Sequence, residues 1–329
     1  MIIRNSGFDF NKNTYVMGIL NVTPDSFSDG GLHNTTDAAV AHALKMIEEG
    51  AAIIDIGGES TRPGHEKISA KEELERVIPV IEELRHKTDI PISIDTTKSE
   101  VAAEAMAAGA DIVNTVEGAG MTPEMAEVIS KSGAFAVLTY EKNYVNQNDF
   151  CEALIKMAEN AENLGIAGER IILDPGIGFG KSQDENLKVL NDLPFITQTG
   201  YPILLGCSRK SFINFCIQQR DALSKNTDNV TVPATQRLPG TIVTTTLAAL
   251  AGVGIVSVTL YGAAVEFGIL ILEAADSELF HLGVRAHVVL RELAVLLQKE
   301  DAHPEDSKAQ DYRRYKEGCH LSNSGLMDS

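Results

Sequence analysis

Cations are scarce in this sequence. Its 329 residues hold 28 Lys and Arg against 46 Asp and Glu, a formal net charge of −18. Phosphate backbones recruit Lys and Arg, so nucleic acid is not an expected partner. An anionic ligand would need local cations or a metal ion. Tryptophan is missing, and aromatic residues make up only 5% of the chain. The four cysteines, Cys151, Cys207, Cys216 and Cys319, form no C-x-x-C pair and no metal-like spacing. They read as free thiols in a reducing compartment. No apolar run reaches the ~20 residues a membrane span needs, and the longest, around 261–275, contains Glu266. The opening MIIRNSGFDF is too short and polar for a signal peptide. The expectation is a cytoplasmic protein with no membrane contact.

Two phosphate-loop spacings are also missing. No G-x-G-x-x-G follows the first strand pattern, which weakens a dinucleotide fold, and no G-x-x-x-x-G-K-[ST] occurs. What the chain does have is 44% hydrophobic residues, enough for a sizeable core. Short β-branched runs at 15–21, 51–58, 91–95, 110–114, 134–139, 170–174, 202–207 and 254–261 read as strands. Amphipathic runs at 36–49, 70–85, 99–107, 123–131 and 149–164 read as helices between them. The strands are apolar on both faces, as buried parallel strands are. Strand–helix alternation over eight units predicts an α/β fold, a (β/α)8 TIM barrel. An open doubly wound sheet is the alternative. The barrel is expected over 14–298 as a single domain, followed by a polar, charged C-terminal tail over 299–329. Residues 218–239 read as an extended polar loop.

Asn21, Asp55, Asp95, Asn114 and Asp174 end the candidate strands. One such residue alone is equally a turn or helix-cap residue. Five at corresponding positions of a barrel would converge on its C-terminal mouth, where barrel active sites lie. The loops after these strands carry the remaining chemistry. GGESTRPG (57–64) offers Thr61 and Arg62, a hydroxyl and a guanidinium suited to phosphate or carboxylate. DPGIGFGKS (174–182) lets backbone approach a ligand beside Asp174. SRKSF (208–212) brings Lys210 and Ser211 to an otherwise acidic mouth, where a Lys can hold an anion or donate to a carbonyl.

With NVTPDSFSDGG (21–31) and SIDTTK (93–98), these segments stand in the order and spacing of the bacterial dihydropteroate synthases, which the chain resembles from about residue 14 to 252. The resemblance implies condensation of a dihydropterin-methyl diphosphate with 4-aminobenzoate, with pyrophosphate leaving, in folate synthesis. It implies Asn21 as the residue holding Mg²⁺ on the diphosphate, and Asp95, Asn114 and Asp174 as pterin partners. Thr61 and Arg62 are implied on the substrate side, Thr61 at the diphosphate. Lys210 with Ser211 is implied between the pterin and the aminobenzoate. Asp95, Asp174 and Lys210 are the implied catalytic set. Loops 23–31 and 60–64 are implied to close over the substrates, and a homodimer is implied as the assembly. The family is also the target of sulfonamides.

The match has departures. Thr115 stands where the family has an Asp, and Thr139 with Tyr140 where a His is usual. Ser257 and Thr259 occupy the positions of the Arg and His of the family's eighth strand. Arg285 and His287 read as helix-surface residues, because Ala286, Val289, Leu293 and Leu296 form one apolar face. The other reading returns them to the barrel mouth. Two rivals to the synthase remain on these grounds: a catalytically impaired pterin-binding homologue and a pterin-dependent methyltransferase.

Overall fold

The computed structural model describes residues 1–23, 31–59, 67–223 and 231–259, all within the compact unit Met1–Ala274. The expected tail, the boundary at 298/299, and Arg285 and His287 lie outside them. The barrel strands are β1 (Tyr15–Asn21), β2 (Ile53–Gly57), β3 (Ile92–Asp95), β4 (Ile112–Thr115), β5 (Phe135–Thr139), β6 (Ile171–Asp174), β7 (Leu204–Gly206) and β8 (Ile255–Val258). They form one parallel sheet in the order β6-β5-β4-β3-β2-β1-β8-β7. A parallel bridge from Leu173 to Ile203, just ahead of β7, joins the two ends. The sheet is therefore a (β/α)8 barrel, with α1 (Gly31–Glu48), α2 (Ala70–Lys87), α3 (Ser99–Ala108), α4 (Pro123–Ser132), α5 (Gln147–Asn163) and α6 (Gln183–Asn191) following the first six strands.

Side chains alternate between the two faces of a strand, and the apolar ones accordingly separate into two clusters. Ile54, Ile56, Ile92, Ile94, Val113, Ala136, Leu138, Leu173 and Leu205 face the helix layer. Met17, Ile53, Ile112, Val137, Ile172, Leu204 and Ile255 pack inside the barrel, with Ile3 and Phe8 beneath them. Ile3 belongs to a small antiparallel hairpin, Ile2–Ile3 with Ser6–Gly7. Phe8 stacks edge-on against Tyr15 at 4.7 Å between centroids. The N-terminal segment thus floors the barrel, and the lumen above this apolar layer is free to be polar.

Helix starts follow sequence signals. Ser69 caps α2 by accepting from the Glu72 amide at 3.2 Å. Ser182 and Glu185 form a reciprocal capping box at α6. Between 211 and 250 the structure differs from expectation. After the short α7 (Leu193–Ile196), α8 (Ser211–Leu223) extends into the expected loop, and α9 (Leu238–Leu250) precedes β8. The run TIVTTTLAAL hides α9 because β-branched residues have modest helix propensity. Its threonine hydroxyls turn back on the helix: Thr244 donates to Gly240 O at 2.7 Å and Thr246 to Ile242 O at 2.8 Å.

Candidate active site

Above the apolar floor the inward positions become polar. The same alternation that buries Ile53, Ile112, Ile172 and Ile255 turns Asp55, Asn114, Asp174 and Ser257 into the lumen, two residues further along each strand. Asn21, Gly57, Asp95 and Asn114 are register partners across β1 to β4. Gly57 keeps this row open. A Cβ there would lie 3.6 Å from Asp95 Oδ2 and 3.8 Å from Asn21 Oδ1. Gly206 does the same on the opposite wall, where a Cβ would lie 3.7 Å from Asp174 Oδ2 and 3.8 Å from Lys210 Nζ. Two side-chain-free positions therefore border a space lined by carboxylates, a carboxamide and an ammonium group.

Asp174 is buried, and its Oδ1 accepts from the Gly176 amide at 2.8 Å. Gly176 has φ of 72°, a left-handed conformation, and a Cβ there would clash with Tyr140 O at 2.2 Å. Glycine is required for that amide to reach the carboxylate. Burial raises the Asp174 carboxyl above its ordinary range, opposed by Lys210, the Gly176 amide and Lys181. Asp95 is raised well above the ordinary range by burial, then by the charges of Asp55 and Glu73, with Lys210 opposing. Burial lowers Lys210 in turn, and Asp174, Cys207 and Asp95 hold it up. Lys210 Nζ donates to the Ile177 carbonyl and sits 4.5 Å from the centre of the Phe179 ring. A lysine held among carboxylates, carbonyls and an aromatic face is placed to balance the acids and donate to a ligand.

The sequence candidates separate on this geometry. Asn21, Asp95, Asn114, Asp174 and Lys210 share the lumen mouth. Ser211 is exposed at the start of α8, and its hydroxyl accepts from Gln183 Nε2 at 3.2 Å. Thr61 and Arg62 lie outside the described residues. Thr115 points to the opposite face of β4 from Asn114, where it accepts from the Glu117 amide at 3.4 Å. That departure therefore leaves the lumen untouched. Ser257 is buried on the inner face of β8, and Ser208 Oγ accepts from the Thr259 amide at 3.1 Å. The described end of β8 thus presents hydroxyls at the positions that hold Arg and His in the family it resembles, as the sequence departure implied.

Sequence reasoning placed Asp55 at the wrong depth and missed two supporting groups, Lys181 and Lys98. Asp55 is not at a strand end but two residues below it, hydrogen-bonded to Asn114. Lys181, inside GFGKS, donates to Tyr140 O at 2.7 Å and Phe179 O at 3.1 Å, tying the glycine-rich loop to the end of β5. Lys98, inside TTKS, bonds both Glu59 and the buried Glu73. The motifs displayed both lysines, but Glu73 sits on α2, with no local pattern to link it to Lys98.

For a divalent metal, the relevant observation is Asn21. Its side chain is exposed at the mouth and supplies a neutral oxygen near Asp95. Mg²⁺ takes oxygen ligands, retains several waters and needs only one or two protein oxygens, so this donor fits it. Among the described residues, no group of three or more His, Cys, Asp or Glu could hold a metal ion.

The family described as pterin binding enzyme matches residues 17–259. A dihydropteroate synthase of Clostridium beijerinckii is 42% identical over 251 residues, 75% of this chain and 88% of that protein. One from Bacillus subtilis is 49% identical over 212 residues, 63% of this chain and 74% of that protein. Among solved structures, the Clostridium difficile dihydropteroate synthase with pteroic acid superimposes with a TM-score of 0.72 at 44% identity, covering 82% of this chain and 98% of that one. The Xanthomonas albilineans synthase in complex with 7,8-dihydropteroate gives 0.69 at 37% identity, covering 82% and 96%.

Proposed function

The chain belongs to the family of pterin-binding enzymes, and from that membership we propose that it works as a dihydropteroate synthase with the pterin in the polar upper lumen. It is a transferase of folate biosynthesis. The amine of 4-aminobenzoate attacks the methylene carbon of (7,8-dihydropterin-6-yl)methyl diphosphate. A C–N bond forms, the C–O bond to the diphosphate breaks, the amine loses a proton, and pyrophosphate leaves beside 7,8-dihydropteroate.

The observation that carries this reading is the convergence of Asp95, Asn114, Asp174 and Lys210 above an apolar floor, beside the open positions at Gly57 and Gly206. A pterin edge is rich in N–H donors, and a buried carboxylate such as Asp174 accepts them. Lys210 donates to the ring's acceptors and offsets the acids. The arylamine is already a neutral nucleophile, so the chemistry asks for orientation more than for a strong base. Negative charge grows on the departing diphosphate, and fixed cations at the mouth stabilise it. Mg²⁺, held at Asn21, would neutralise part of that charge. Thr61 and Arg62 are proposed on the diphosphate side, and Ser211 on the aminobenzoate side. A homodimer and a cytoplasmic location complete the reading. No described helix is long and apolar enough to cross a membrane.

The test is turnover. Purified protein is given the dihydropterin diphosphate, 4-aminobenzoate and Mg²⁺, and dihydropteroate is followed by mass with Asp174→Ala as control. Product that vanishes in the control supports the synthase. Pterin binding without product favours the second reading, an impaired homologue, whose specific support is the hydroxyl-lined end of β8.

A further inference from the structure

Asp55 lies one layer below Asp95 on the inner face of β2 and is 4% exposed. Its Oδ2 accepts from Asn114 Nδ2 at 3.0 Å; burial raises the Asp55 carboxyl, and hydrogen bonds from Ser93 and Asn114 oppose this by favouring its ionised form. A carboxylate accepts hydrogen bonds and donates none, whereas a carboxamide has one accepting and one donating end. Asn114 could in principle turn either end downward, but only its NH₂ satisfies Asp55. The opposite orientation would set two oxygens against each other in a buried site, where an unmade bond is costly. Asn114 Oδ1 is therefore directed away from Asp55, available to a ligand as an acceptor.

We propose that Asp55 is a positioning residue that locks the Asn114 carboxamide, so that Asn114 accepts from a ring N–H present in a reduced pterin and lacking in the oxidised one. This rests on the pterin reading above. A 7,8-dihydropterin carries a proton on N8; the fully oxidised ring has a bare lone pair there. A locked Asn114 meets the first with an acceptor and the second with repulsion. An Asn114 free to rotate can offer its NH₂ to the bare nitrogen, and the discrimination falls. Asp55 then sets the redox state of the ligand the barrel accepts, without touching it.

The test measures the dissociation constants of 6-hydroxymethyl-7,8-dihydropterin and 6-hydroxymethylpterin by calorimetry. The proteins are the wild type and Asp55→Asn, which keeps the shape but can present either end to Asn114. The wild type should prefer the dihydro ligand, and the ratio of the two constants should drop about tenfold in the variant, the equivalent of one net hydrogen bond. Asp55→Ser, which leaves room for a water, serves as the second variant if Asp55→Asn does not fold. A purely structural Asp55 would weaken both ligands alike and leave the ratio unchanged, which overturns the proposal. Equal binding of both ligands by the wild type also overturns it, while leaving the pterin site intact. Wild-type protein that binds neither ligand removes the pterin reading itself.

Discussion

Replacing Lys98 with Met tests whether the loop after β2 is held by a buried charge cluster. Lys98 Nζ bonds Glu59 and Glu73, whose side chains are 16% and 1% exposed, and is itself 23% exposed. Burial alone would lower the Lys98 ammonium, but hydrogen bonds from it to Glu59 and Glu73, and their charges, outweigh burial and raise it. Methionine keeps the stem and removes the charge. Glu73 then loses the partner of Oε2, and Oε1 already has none. Breaking a buried ion pair on one side costs roughly 3–5 kcal/mol. Lys98 and Glu59 keep some water, which places the expectation near the lower bound, about 3 kcal/mol. For a domain of this size that corresponds to a fall of roughly 6–12 °C in Tm. Urea denaturation of the wild type, Lys98→Met, Glu73→Gln and the double variant measures it. The double variant should cost less than the sum of the singles by about 1–3 kcal/mol. A Lys98→Met cost below about 1 kcal/mol, or strictly additive variants, would mean that this charge cluster does not hold the loop. Glu59 leads directly into the segment with Thr61 and Arg62, so Lys98→Met should also raise KM for the pterin diphosphate.

Two further outcomes follow from the packing around β5. A Cβ at Gly118 would lie 2.7 Å from Thr139 O and 2.8 Å from Thr139 N, backbone atoms of a barrel strand that cannot move aside. Gly118→Ala should cost roughly 1–3 kcal/mol of stability, and because Thr139 pairs with Asp174 it should weaken pterin binding too; a denaturation midpoint equal to the wild type's argues against this. Burial lowers the Lys181 ammonium to about 8. Its folded pKa lies below its unfolded one, so the penalty is present below pH 8 and fades as pH rises towards the unfolded value near 10.4. Measured against Lys181→Met, the wild type should gain stability between pH 8 and 10, and a flat difference across that range would exclude the effect.

Local signals carried much of the architecture. Strand–helix alternation announced the barrel because parallel strands buried on both faces must be apolar throughout, and their connections must be helical. The polar residues at Asn21, Asp95, Asn114 and Asp174 were legible for the same reason: each interrupts an apolar run where the chain leaves the sheet. α9 was not legible, since its run of threonines lacks a strong helix preference and becomes helical through burial and back-bonded hydroxyls.

The strand–helix alternation, the polar row at the strand ends and the motifs that relate the chain to the pterin-binding enzymes can all be read along the chain. Which face each polar residue occupies, and which distant group holds it, emerged from the packing of the folded chain. Thr115 and Asn114 are neighbours in the chain, yet a half-period of the strand puts them on opposite sides of the sheet. Asp55 and Asn114 are 59 residues apart and share a hydrogen bond; Glu73 and Lys98 are 25 apart and share a buried charge. Local patterns arise from backbone periodicity and can be read along the chain. Pairings of this kind arise from closure of the barrel, which brings separate strands and helices within hydrogen-bonding distance and has no local signature.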